Sequence, residues 1–158
     1  KIRVLRISFF NVHNDWVLWQ VQNRFSKISH PPDSMLIYSK SQLGRWGNSN
    51  HCDYFVGEAR WTTLSEQEVM DYYQPIKLPP AKGLTQPLSG FPYVGVRVAF
   101  LKNNKIYGPD IVGEQCFLPD NLCQIRNWDV DVSFYPDRTL YLAYVFDVGY
   151  EPDDIRCH

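Results

Sequence analysis

The strongest pattern along the chain is alternation of apolar and polar residues with a period of two, the spacing of a strand with one covered face. In YVGVRVAFL, residues 93–101, Val94, Val96, Val98 and Phe100 fall on one side and Gly95 and Arg97 on the other. VDVSFY (130–135) and TLYLAYVFDV (139–148) repeat the theme, separated by Pro136, Asp137 and Arg138, where proline presets a turn. KNNK (102–105) is a tight-turn signal because asparagine tolerates a positive φ, so residues 94–107 read as a hairpin. Nearer the N-terminus, IRVLRISFFNV (2–12) and WVLWQVQ (16–22) flank His13, Asn14 and Asp15 and read as a second hairpin. On a strand, Trp16 and Trp19, three apart, face opposite sides. SMLIYSK (34–40) and DYFVGEARW (53–61) complete the expected strands.

A single helix is expected. Thr63, Leu64, Ser65 and Glu66 have the form of a capping box, with Thr63 as N-cap and Glu66 reaching back to its amide. Good helix formers follow to Tyr73, and Pro75 ends the run. The stretch QPIKLPPAKGLTQPLSGFP (74–92) is too rich in proline and glycine for a strand, and a loop of that length is functional or runs along the surface. No repeat or linker divides the chain. The expectation is one domain over 1–158, all-β and mainly antiparallel, a two-layer β-sandwich or flattened barrel with one short helix near 64–73.

Charge and hydropathy narrow the function. With 16 basic and 17 acidic residues the net charge is -1, and the basic residues are scattered. Nucleic-acid binding draws on phosphate neutralisation by clustered Lys and Arg, so no nucleic-acid partner is expected. The same balance disfavours an electrostatic membrane-surface role. No apolar run approaches the roughly 18 to 20 residues of a membrane span. Lys1 opens directly into a strand-like segment without the regions of a signal peptide, so any leader is expected to have been removed already.

The four cysteines, Cys52, Cys116, Cys123 and Cys157, match no zinc spacing. An even count without metal spacing reads as two disulfides and an oxidising, extracytoplasmic compartment. The Pro-Asp-Asn turn in FLPDNL favours Cys116 with Cys123, which leaves Cys52 with Cys157 as a long closure tying down the C-terminal end.

Candidate chemistry is sparse. No nucleophile elbow, cofactor fingerprint or metal-ligand cluster stands out, so no catalytic residue, metal or cofactor is assigned. Asp129 and Asp131 in W-D-x-D (128–131) raise the question of calcium, since hard cations want clustered oxygens. The motif resembles one calcium loop of the small sandwich domains that bind calcium and acidic lipids. That resemblance covers a few residues only, and solvated carboxylates on the outer face of an edge strand are the favoured account, so nothing is carried over from that family. The stretch GRWGNSNHC (44–52) puts an indole between glycines, beside Asn48, Asn50 and His51. An exposed loop with Trp46 as apolar anchor and these polar neighbours is what stacking on a sugar or gripping a partner uses.

The leading expectation is therefore a secreted binding module, engaging a glycan or an extracellular protein surface through loops at one end of the sandwich. A small nuclease-like hydrolase using His51, Glu58 and Arg60 is the second reading, although an outward-facing charged pair explains Glu58 and Arg60 more simply. The third is a β-barrel holding a small apolar ligand. Against it, Gly44, Arg45 and Trp46 lie mid-chain, whereas lipocalin barrels carry G-x-W near the start.

Overall fold

Aromatic and β-branched residues concentrate in two long stretches, and these pair with each other along their whole length. A computed structural model of the chain describes residues 2–44, 52–81, 93–103, 105–108, 111–112, 115–116 and 130–149, with side chains for 11–44, 52–81, 93–103, 105–108 and 130–147. In order come α1 (Ile2–Phe25), β1 (Met35–Gly44), β2 (Cys52–Thr62), α2 (Glu66–Tyr73), β3 (Lys77–Leu78), β4 (Val94–Gly95), β5 (Arg97–Lys102), β6 (Lys105–Tyr107), β7 (Ile111–Val112), β8 (Gln115–Cys116) and β9 (Thr139–Gly149). A 3-10 turn, Val132–Phe134, precedes β9. The main sheet has five strands in the order β1-β2-β9-β5-β6, and β3-β4 and β7-β8 form two-stranded ribbons. Every pairing is antiparallel. The mainly antiparallel β architecture read from the alternation is therefore present, with two helices rather than one.

Both faces of the sheet are covered, which suits β9, where residues 140–146 carry no charged side chain. On one face Tyr54 and Val56 of β2, Val96 beside β5, Val98 and Phe100 of β5, and Tyr141, Ala143 and Val145 of β9 pack under Val17, Val21 and Phe25 of α1 and Val69 and Tyr73 of α2. On the other, Phe55, Ala59, Ala99, Leu101, Leu142 and Tyr144 join Val130, with Val132, Trp61 and Tyr135 against them. Val96, Val98 and Phe100 are buried and Arg97 is exposed, as the alternation requires. The turn between β5 and β6 places Asn103 at φ 51, the left-handed conformation that asparagine accepts.

Residues 2–25 correct the expected N-terminal hairpin: they are one helix. Val17, Val21 and Phe25 recur at four-residue spacing and are buried, while Val12, Trp16 and Trp19 stand 68%, 44% and 55% exposed on the opposite side. Trp16 and Trp19 thus share a face. With apolar residues on both sides, neither period dominates the sequence, and the polar triplet 13–15 imitates a turn. Asn14 is fully buried, and its amide is satisfied. Tyr54 Oη donates to Asn14 Oδ1 at 2.6 Å, and Asn14 Nδ2 donates to Cys52 Sγ at 3.4 Å.

The capping box is also shifted by two residues. Ser65 is the N-cap, its Oγ accepting from the Glu68 amide at 3.3 Å while Glu68 Oε2 accepts from the Ser65 amide at 2.8 Å. The Ser65 hydroxyl, donating to Glu68 Oε2 at 2.7 Å, and the Ser65 amide hold the Glu68 carboxyl below the usual carboxylate range. Thr63 is occupied elsewhere: its amide and hydroxyl both donate to Asp33, as does the Thr62 hydroxyl. Residues 130–135 are a second correction, forming the 3-10 turn instead of a strand. Asp131 caps that turn, Oδ1 accepting from the Ser133 amide at 2.9 Å.

Gly57 lies mid-strand because two aromatic rings close over it. Phe55 and Tyr144 stack with centroids 5.7 Å apart, and a Cβ on Gly57 would come within 2.8 Å of the Phe55 ring and 2.9 Å of Tyr144 Cβ. Gly57→Ala is expected to destabilise the fold by about 1–3 kcal/mol, the usual cost of overpacking, read as a lower urea midpoint at unchanged slope.

Candidate functional site

Two clusters on the main sheet carry chemistry-bearing side chains. The first lies under the helices. Glu58 and Arg60 alternate with Ala59 on β2, so both point to the helix-covered face. They do not face outward: their side chains are 15% and 12% exposed. Arg60 Nη1 donates to Glu58 Oε2 at 2.5 Å, and Arg60 Nε donates to Ser34 Oγ at 3.2 Å. The histidine that joins them is His30, from the segment between α1 and β1. His30 Nε2 is 3.4 Å from Glu58 Oε2, and Nδ1 is 2.7 Å from the hydroxyl of Tyr73 on α2. Tyr73 Oη in turn lies 3.3 Å from Tyr141 Oη on β9, and Tyr72 Oη donates to the His30 carbonyl at 2.9 Å.

The donor order follows from the charges. The Glu58 carboxylate draws the proton of a neutral imidazole to Nε2, leaving Nδ1 to accept from Tyr73, which then accepts from Tyr141. Burial pushes the His30 pKa below its ordinary 6.5, the Arg60 guanidinium pushes the same way, and Glu58 opposes them. Burial and the Tyr141 hydroxyl raise the Tyr73 phenol far above its usual range, so Tyr73 stays protonated. Each imidazole nitrogen therefore faces a partner. The set is a hydrogen-bonded chain from sheet to helix, without an open base for a substrate. Beside it, a polar groove lined by Gln22, Ser26, Ser39, Ser41 and Glu58 opens between the end of α1 and β1.

The second cluster sits at the end of the sheet where β2 stops, β5 turns into β6 and β9 begins. The register Thr62↔Thr139 and the turn closed by Lys102↔Lys105 bring these segments together. A groove there is lined by Glu66 of α2, Lys102 and Asn103 of the turn, Tyr107 of β6, and Tyr135, Asp137 and Arg138 before β9. Tyr107 Oη donates to Glu66 Oε1, and burial together with that carboxylate raises the Tyr107 phenol above its usual range. Arg138 lies over the Trp61 ring at 4.8 Å, and Trp61 packs against Tyr135 with centroids 6.3 Å apart. Phe134 stands 76% exposed nearby on the 3-10 turn.

The residues singled out from the sequence fall differently. Trp46, Asn48, Asn50 and His51 lie outside the described residues. So does Asp129. Asp131 is committed to Ser133, whose hydrogen bonds lower its carboxyl pKa, and no group of three metal-ligating side chains occurs among the described residues. Cys52 is disulfide-bonded, and its partner sulfur lies outside the described side chains. No helix among the described residues is long and apolar enough to cross a membrane.

The fold and its two clusters define an antiparallel β protein with two helices on one sheet face. No family model, curated protein or solved structure matches the chain.

The charge arrangement around His30 has a measurable consequence. Removing the Glu58 charge leaves the imidazole beside Arg60 without its counterion. Glu58→Gln is expected to move the His30 titration midpoint further down, as followed by its imidazole proton resonances in NMR.

Proposed function

We propose that this protein is a secreted binding module, engaging a glycan or an extracellular protein surface at one end of its sheet, with the groove at the Thr62–Thr139 end as the recognition surface. The observation that carries this reading is the composition of that groove. Tyr107 and Tyr135 line it together with the Asn103 amide, and Lys102 and Arg138 balance Glu66 and Asp137. A concave surface of aromatic rings and convergent hydrogen-bonding groups without net charge suits a neutral, hydroxyl-rich ligand, so a glycan is the favoured occupant. Trp46, Asn48, Asn50 and His51 would then supply a second contact region.

The hydrolase reading has less support. Glu58 and Arg60 meet His30, whose two nitrogens both face protein groups, and His51 adds nothing that the described residues test. The small apolar ligand has less still, because side chains pack closely on both described faces of the sheet.

The test is retention of labelled protein on a glycan array. Binding is expected, and Arg138→Ala should weaken it by about tenfold or more, equivalent to roughly 1.4 kcal/mol, with little change in melting temperature because Arg138 is exposed. An array without retained glycans, or an unaffected variant, overturns the reading, and binding to an extracellular protein instead would reassign the occupant.

The extracytoplasmic assignment rests on paired cysteines, Cys52 with Cys157 and Cys116 with Cys123. Peptide mapping under non-reducing conditions should recover both linkages. A crossed pairing or a free thiol counts against it.

A further inference from the structure

We propose that His30 is a proton-operated latch that holds α2 against the sheet, and that mild acid releases it and loosens the helix that walls the groove. The regulatory consequence rests on the groove being the binding site, whereas the latch itself is measurable without a ligand. The latch adds polar contacts between the segment after α1, the end of α2 and β2. His30 follows α1, its Nδ1 meets Tyr73 and its carbonyl meets Tyr72 on α2, and its Nε2 faces Glu58 on β2.

The ring is enclosed by groups that respond to its charge. From β2 it faces Glu58 and Arg60; from α2, Tyr73, backed by Tyr141 of β9; α1 contributes the Phe25 ring, edge-on at 6.3 Å. In the neutral state donors run in one direction, Tyr141 to Tyr73 to Nδ1. Protonation turns Nδ1 into a donor. The Tyr73 oxygen must then accept from the imidazolium, and the Tyr73 proton must turn to Tyr141 or lose its partner in a buried site. The new charge also sits beside Arg60, offset by Glu58 alone.

The direction in pH follows. The unfolded or unlatched imidazole titrates near 6.5, and burial and Arg60 hold the latched one lower. Above pH 6.5 both are neutral and the latch has its full strength. As pH falls from 6.5 toward the latched value, the unlatched state takes up the proton first, and the closing constant drops by up to about tenfold per pH unit.

The effect reaches the groove through a short rigid element. α2 has 8 residues, Tyr73 at its last position and Glu66 at its first, about 10 Å apart at the usual helical rise. Glu66 accepts from Tyr107 at the groove wall. Freeing the Tyr73 end removes one of the contacts that orient that wall.

The experiment uses the full chain, labelled for NMR, between pH 7.5 and 5. The His30 midpoint should lie below 6.5. Exchange of α2 amides, corrected for intrinsic rate, should quicken several-fold as pH falls through that range, and the Tyr107 amide should follow. In His30→Gln the corrected rates should lose this pH dependence. Should that variant fail to fold, Tyr73→Phe keeps the ring packing and removes the donor to Nδ1, so the His30 midpoint should rise. A midpoint at or above 6.5 in the native chain, pH-independent exchange of α2, or no shift in Tyr73→Phe overturns the latch. Glycan retention is read separately, so a protein that binds no glycan but shows this exchange pattern keeps the latch and loses only the groove's role.

Discussion

The pairing of β2 with β9 is the constraint on which the rest depends. It runs without a register shift from Cys52↔Gly149 to Thr62↔Thr139, and residues 140–145 are buried on both sides. A strand covered on both faces cannot slip by one residue without exchanging two sets of packed side chains. That fixed register decides which β2 side chains lie under the helices. Tyr54, Val56, Glu58 and Arg60 are on that face, and Phe55, Ala59 and Trp61 on the other. β1 tolerates a register shift between Leu36 and Tyr38, being an edge strand with one neighbour. The central pair shows none.

How far the fold could be read from the sequence depended on whether one period dominated locally. In Val96, Val98 and Phe100 the alternation is clean, and β5 lies where it points. β9 has apolar residues at almost every position, which suits a strand buried on both faces, and the neighbouring turn at Pro136 made it recognisable. α1 was misread because its outward side is also apolar: Val12, Trp16 and Trp19 fill the positions at which solvent normally selects polar residues. Asn14, which looked like a turn residue, is instead a core group paid for by Tyr54 and Cys52. Residues 130–135 alternate as well, but Asp131 is better satisfied by the Ser133 amide two residues on than by a ladder.

The site was partly legible. Glu58 and Arg60 were recognisable as a pair because residues two apart on a strand share a face. Their partner was not, since nothing in the local spacing connects His30 to a strand 28 positions on. The link is made by α1, which crosses β1 and β2 and delivers the segment after Phe25 over β2. The groove at the other end was hidden for the same reason. Glu66, Tyr107 and Arg138 come from three distant stretches, and only the register at Thr62↔Thr139 and the β5–β6 turn bring them together. A signal did exist in the tyrosines of α2: Tyr72 and Tyr73 close the helix side by side, and buried hydroxyls need partners.

That end of α2 shows how one short helix serves two jobs. Val69 and Tyr73 are fully buried, so packing and polar contacts together hold α2 on the sheet. The polar contacts do something that packing cannot: they make the attachment directional, with Tyr73 aimed at His30 and Glu66 at Tyr107. Hydrophobic burial is nearly indifferent to pH, whereas the hydrogen-bonded chain at the Tyr73 end contains a group whose ordinary pKa is 6.5. The stability of the sheet and the orientation of α2 are thus controlled by different terms. A change in proton concentration acts on the second through His30, whereas residues 140–145 of β9, the strand at the centre of the packing, carry no titrating group other than tyrosine.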